Sequence, residues 1–152
     1  FGDALEACIA LSVIGEGMPL IHNGQEAGET KRLAFFERDP IEWQEHPIGE
    51  LYRKLIALKK SKPFLGNGEF GARMIQVPNS SMVQVFSFVR REEREDDKVF
   101  VVINFSDAPV TVTFEESLHL GTLQHWERNQ KTTFSRDTAL TLQPWGFEIW
   151  HK

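Results

Sequence analysis

The sequence predicts a mixed fold: a helix–strand–loop–helix unit over residues 1–62, then an all-β antiparallel sandwich over 63–152. Three observations carry this expectation. Apolar residues recur at helical spacing before Lys62, and the period changes to two after Leu65. Between them stand Pro63, Gly66, Gly68 and Gly71, which interrupt regular structure. The 152 residues fit one domain or two small ones and suffice to bury a core without disulfides.

Element by element, Asp3 with Glu6 three residues on has the form of a capping box, with Asp as the cap. An apolar run from Leu5 to Val13 then reaches Gly15, a helix stop. A helix apolar on most of its circumference is expected to be buried. Met18-Pro19-Leu20-Ile21-His22, bounded by Gly17 and Gly24, predicts a short strand buried on both faces, as parallel strands are. Residues 23–46 lack a period and are rich in turn-formers; a loop of that length is usually functional. Pro47 opens a second helix, along which Ile48, Leu51, Tyr52, Leu55, Ile56 and Leu58 share one face and Pro63 marks the stop. Strands are predicted at 73–77, 82–90, 99–105, 110–114, 120–126, 138–142 and 147–151, with turns at Pro78-Asn79-Ser80, Ser106-Asp107-Ala108-Pro109 and Pro144-Trp145-Gly146. The stretch from Val99 to Ile103 is apolar without alternation, as in a central strand.

Hydrophobic residues make up 41% and charged residues 26%, which argues against disorder and low-complexity sequence. A net charge of −5 provides no basic footprint for nucleic acid, and no apolar run is long enough to span a membrane. The single cysteine, Cys8, rules out an intrachain disulfide and any Cys-based zinc site. Flanked by Ala7 and Ile9, it reads as a small buried hydrophobe. Localisation stays open between cytoplasm and export. The chain starts at Phe1 without a Met or a signal-like region, so a longer parent is expected.

Several literal motifs fail on context. Gly66, Gly68 and Gly71 spell G-x-G-x-x-G, but a helix precedes them and strands follow, the reverse of a dinucleotide site. His22 and Glu26 have the spacing of metal ligands on a helix, yet Gly24 and Gly28 argue against that helix. Two glycosylation sequons, at Asn79 and Asn104, read as chance matches, the second lying in a predicted core strand. The mixed-charge run from Arg90 to Lys98 reads as a solvated hairpin loop. Glu26, Glu29, Glu37, Asp39 and Glu42 crowd the long loop. Glycoside hydrolysis needs two carboxyls held across a bond, one with a raised pKa, and spacing alone shows neither.

The segment Gly17-Met18-Pro19-Leu20-Ile21-His22-Asn23-Gly24-Gln25-Glu26-Ala27-Gly28 closely resembles the G-x-P-L-I-Y-x-G-Q/D-E-x-G stretch of the α-amylase family of glycoside hydrolases. In that family it forms the eighth strand of a (β/α)8 barrel and the start of its loop. Leu33-Ala34-Phe35-Phe36-Glu37-Arg38-Asp39-Pro40-Ile41-Glu42-Trp43 is similar to the loop before the last barrel helix, and Leu51-Tyr52-Arg53-Lys54-Leu55-Ile56-Ala57-Leu58-Lys59-Lys60 resembles that helix. Val101-Val102-Ile103-Asn104-Phe105-Ser106 and Leu142-Gln143-Pro144-Trp145-Gly146 resemble markers of the family's C-terminal β-sandwich. The chain departs from the pattern at His22, where the family has Tyr.

The resemblance implies that 1–62 is the remnant of a barrel end and 63–152 the C-terminal sandwich. It also implies that the nucleophile, the acid/base and the stabilising carboxylate, borne on strands four, five and seven, lie upstream of Phe1. No catalytic residue is therefore assigned here, and the chain alone is expected to be inactive. Gln25, Glu26, Phe35, Phe36 and Trp43 would border the sugar subsites at the barrel's C-terminal face, or simply pack the loop. No metal ligand or cofactor is assigned to this chain; calcium in an upstream domain stays open. The implied partners are the upstream barrel portion and an α-glucan, with self-association through an exposed barrel remnant as a further expectation. Two alternatives stand beside this: a carbohydrate-binding sandwich module using Trp126, Trp145 or Trp150 as platforms rather than core rings, and a scaffold or subunit that needs a partner chain.

Overall fold

The computed structural model describes residues 1–34, 36–92 and 96–152. Two helices, α1 (Leu5–Ile14) and α2 (Pro47–Ser61), precede eight strands. These are β1 (Ile75–Gln76), β2 (Val85–Arg91), β3 (Lys98–Asn104), β4 (Val110–Val112), β5 (Gly121–His125), β6 (Lys131–Phe134), β7 (Leu140–Leu142) and β8 (Phe147–His151). Six form an antiparallel sheet in the order β1-β2-β3-β8-β5-β6, and β4 with β7 forms a second, two-stranded sheet.

Strand β3 is buried along its whole length, as its unbroken apolar run predicts. Its alternation sorts side chains into two cores. Val99, Val101 and Ile103 face the helices together with Phe88, Ile149, Leu65, Ala10, Val13 and Leu55. Phe100 and Val102 face the small sheet with Val85, Val89, Trp150, Val112 and Leu142. The architecture is thus a two-helix layer, a six-stranded sheet and a two-stranded sheet. The helix-facing core runs across the 62/63 division, because Phe64 and Leu65 join it beside Tyr52 and Leu55.

Helix α2 starts and ends as expected. Pro47 occupies its first turn, and the His46 Nδ1 accepts from the Ile48 N–H at 3.2 Å, capping the helix. The start of α1 differs. A 3-10 turn over Gly2–Ala4 runs into the helix, so Asp3 lies inside that turn and makes no cap bond. Cys8 is half-buried rather than buried.

The segment 18–22 carries no strand ladder, and Met18 and Leu20 are 81% and 89% exposed. A parallel strand needs neighbours to satisfy its N–H and C=O groups, and the described residues supply none. Ile21 alone reaches the helix-facing core.

In the sandwich, β2 starts at Val85 instead of Met82. The Asn79 side chain bonds Val85 O, Ser87 Oγ and the Ser81 N–H, locking the preceding residues into a turn that leaves Met82 and Val83 outside. Strand β6 has no forecast, since among Lys131–Phe134 only Phe134 is buried and its pairing with β5 defines it. Both sequon asparagines are buried turn locks; Asn104 Nδ2 donates to Ala108 O and Gln143 O.

The solvated-loop expectation for the charge run fails at both ends, while residues 93–95 lie outside the described residues. Lys98 is buried, and its Nζ donates to Leu118 O and Leu120 O. Arg90 is fully buried, with backbone carbonyls rather than carboxylates as its partners.

His119 lies fully buried among Phe100, Phe114 and Phe134. Neither ring nitrogen has a partner of ordinary geometry, although the Ser135 backbone slightly favours the proton. Burial first, and then the Lys98 charge, push its pKa below the usual histidine value; burial does the same to His125 and His151. The unfolded chain takes up these protons below about pH 6.5, whereas the folded state resists them. Stability is therefore complete above that pH and falls as the medium is acidified through it. His119→Phe, which suits the aromatic surroundings, should recover up to about 1.4 kcal/mol per pH unit of this loss. Urea midpoints at pH 7.5 and 5.5 would show it; an unchanged pH dependence in the variant would refute a neutral buried His119.

Candidate functional site

The long loop begins with a 3-10 turn, Gln25–Ala27, held between Gly24 and Gly28 at φ values of 91° and 72°. Such left-handed positions favour glycine. At Gly28 the demand is also one of space, since a Cβ would lie 2.5 Å from the His46 ring. The turn closes on itself through His22 N–H to Gln25 Oε1, 3.0 Å, and Gln25 N–H to His22 O, 2.9 Å. His46, the cap of α2, therefore sits directly over the turn that carries Glu26.

Glu26 lines a cleft of about 580 Å³ with Gln44, Glu45, His46, Glu50 and Arg53. Its Oε2 is buried without a hydrogen-bond partner. The nearby Tyr52 phenol is pushed up first by burial and then by the Glu26 charge. An inward-facing carboxylate oxygen lacking a donor is ready to accept one. Gln25 lines a second, smaller groove of about 400 Å³ with His22, Asn23, Glu29, Lys31 and Arg32.

Beyond the turn, Lys31 pairs with Asp39 and donates to Pro40 O at 3.2 Å, while Asp39 accepts from the Ala34 N–H at 2.8 Å. The Lys31 contact holds the Asp39 carboxyl below its usual range. Phe36 is 93% exposed and Trp43 61%. Phe35 lies outside the described residues. The structure thus brings Gln25 and Glu26 together on one turn and sets Phe36 and Trp43 against solvent.

Of the three sandwich tryptophans, Trp150 is a core ring stacked on Phe100 and cannot act as a platform. Trp126 and Trp145 are half-buried and line a groove that includes neither Phe36 nor Trp43. That groove also holds a cluster no motif announces. His125 Nδ1 accepts from the Glu127 and Arg128 N–H groups, so Nε2 carries the proton and donates to Glu148 at 2.8 Å. Arg128 pairs with the same Glu148 oxygen. The only signal in the sequence is the run His125-Trp126-Glu127-Arg128, which alternation assigns to a strand end.

Among the described residues, no three His, Cys, Asp or Glu are placed to hold a metal ion, and no helix is long and apolar enough to cross a membrane.

No model of a known protein family matches the chain. Over 103 residues it is 30% identical to α-amylase 2 of Dictyoglomus thermophilum, a match covering 59% of this chain and 16% of that protein. The maltogenic α-amylase AmyB of Thermotoga neapolitana superposes over 99% of this chain with a TM-score of 0.81 and 21% identity. In sequence and in fold the chain thus resembles a part of α-amylase family enzymes. The debranching enzyme of Nostoc punctiforme gives a TM-score of 0.74 at 17% identity over 99% of this chain, and AmyP, solved with maltose, 0.73 at 11% over 96%. The chain spans only 16% of the curated α-amylase and 36%, 31% and 33% of the three solved proteins. The superpositions agree with a mixed fold in which a few helices precede an antiparallel, sandwich-like pair of sheets.

Proposed function

We propose that this chain is the C-terminal portion of a retaining α-glycosidase acting on starch- or maltodextrin-like substrates. In this reading 1–62 completes a (β/α)8 barrel and 63–152 is the sandwich that braces it. The observation that supports it is the segment 18–22: without a strand ladder, exposed at the apolar Met18 and Leu20, and followed by the Gln25–Ala27 turn. Such a segment finds its hydrogen bonds and its apolar cover by joining a sheet. The turn and its Glu26 would then stand at the C-terminal end of a barrel strand, where barrel enzymes carry their sites.

In a retaining mechanism, one carboxyl protonates the glycosidic oxygen, a second attacks the anomeric carbon, and water then hydrolyses the glycosyl-enzyme. An acid in that role needs a raised pKa. The carboxyls with displaced values, Asp39, Glu50 and Asp96, are all held down by neighbouring cations instead. The reacting groups in this reading belong to the rest of the barrel, and Gln25 and Glu26 contribute hydrogen bonds to sugar hydroxyls at the rim.

The test measures reducing ends released from soluble starch. The 152-residue chain alone should release none above a blank, and co-expression with a portion supplying the other seven barrel strands should produce hydrolysis. Turnover by the chain alone that disappears in Glu26→Gln would overturn the proposal.

A further inference from the structure

The groove bordered by Trp126 and Trp145 lies outside the barrel-end turn, and three features suit it to an amphipathic, uncharged ligand. It is about 660 Å³ in volume, open, and of mixed character. Trp145 sits at φ 55°, the positive-φ position among the described non-glycine residues, where Gly or Asn would be unstrained. Its N–H donates to Ser106 O at 3.0 Å, which helps hold the turn, yet its ring stays half-exposed instead of filling the sandwich. A bulky residue in a strained backbone conformation at a groove edge is a pointer to use.

Trp126 is braced from below. Its ring packs on Phe147 at 6.1 Å and its N–H donates to Ile149 O at 3.1 Å. The polar wall is also preset. Glu148 Oε2 takes both His125 and Arg128, which leaves Oε1 to accept from a ligand, and the exposed Arg128 guanidinium keeps donors to spare. Asp3 and Glu6 from the α1 end add acceptors across the groove.

Indole faces offer apolar area with little entropy to lose, and fixed carboxylate and guanidinium edges hydrogen-bond neighbouring hydroxyls. Pyranose rings present the matching pair: an apolar C–H face and a rim of hydroxyls. The carboxylates that line the groove repel phosphate backbones. We infer that this groove is a non-catalytic binding site for a linear α-linked gluco-oligosaccharide, seated on Trp126 and Trp145 and hydrogen-bonded by Glu148 and Arg128. The choice of an α-glucan rests on the proposed function; the choice of a sugar rests on the groove.

The four tryptophans provide separate indole N–H signals in 15N-correlated NMR of the whole chain. Titration with maltoheptaose should shift those of Trp126 and Trp145 and leave the core Trp150 in place. Trp145→Asn keeps a residue that tolerates the backbone conformation and removes the ring; it should weaken binding at least tenfold while the urea midpoint is retained. Trp126→Ala and Glu148→Gln should weaken it as well. No shift with maltoheptaose up to about 10 mM, a weak affinity on any scale, overturns the proposal and leaves the barrel reading standing on starch hydrolysis. Shifts confined to Trp43 overturn it by sending the sugar to the barrel loop. Response to cellohexaose alone overturns the α-glucan occupant and counts against the proposed function too. Response to an oligolysine peptide alone overturns it in favour of a cationic partner.

Discussion

Arg90→Met should destabilise the chain by at least about 4 kcal/mol, among the largest losses a single substitution produces. The guanidinium lies fully buried in β2 and donates to six backbone carbonyls at 2.8 to 3.3 Å. Ile14 O and Gly15 O belong to the end of α1, Phe64 O, Leu65 O and Gly66 O to the connection after α2, and Ala72 O to the approach to β1. Three segments are thus tied to the sheet by one side chain. Helix C-termini leave carbonyls unpaired and carry partial negative charge, so a cation is well placed there. A thioether of similar length removes every donor, and each carbonyl stranded away from water costs roughly 1–3 kcal/mol. Backbone carbonyls cannot be mutated away, so the usual rescue of a buried ion by apolar replacement is closed here. Arg90→Lys keeps the charge but has only three donors and no planar fork, and should recover part of the loss. Lys59 offers a second readout, because its ammonium is pushed down to about 8 by burial and then by the Arg90 charge. In Arg90→Met the Lys59 value should rise. A loss under about 1 kcal/mol would show that the carbonyls find water or other donors.

Phe100→Ala should cost about 3–5 kcal/mol. Phe100 lies at the centre of the second core, edge-on to Phe114 at 5.1 Å and Phe134 at 5.3 Å and stacked on Trp150 at 5.9 Å. Removing the ring opens a cavity bounded by rigid aromatic neighbours in two strands and in the 114–119 loop, which collapse poorly into it. The Trp150 fluorescence should move with the urea midpoint, since its stacking partner is lost. Phe100→Leu, which keeps most of the volume, should cost much less. Equal stability of the Ala variant and the parent would mean that the two sheets are not held together through this ring.

Much of the fold follows from local pattern. Pro47 and Pro63 bracket α2, and the helical spacing of Tyr52 and Leu55 marks the face that is buried. Strand β3 stands where its unbroken apolar run places a central strand, and the final strand β8 where a period of two places it. Elements with weaker signals depend on neighbours: β6 exists because β5 pairs with it, and β1 shrinks to two residues at the sheet edge. The candidate site is legible only in its turn, where Gly24 and Gly28 carry the backbone conformation that holds Gln25 and Glu26.

By itself the sequence determined the helix–loop–helix and sandwich order, and through the 17–28 motif the resemblance to α-amylase family enzymes, because those properties reside in local spacing and residue type. Tertiary structure alone decided which charges go inside, which tryptophans reach the surface and what becomes of the segment 18–22. Arg90 and Lys98 read as solvated until the carbonyls that receive them arrive from residues far away in the chain. Trp126, Trp145 and Trp150 look alike in sequence, and only the stacking of two sheets makes Trp150 core and leaves the other two on a groove. The segment 18–22 has the composition of a buried strand, but a strand is defined by the hydrogen bonds of its neighbours, and composition cannot supply them.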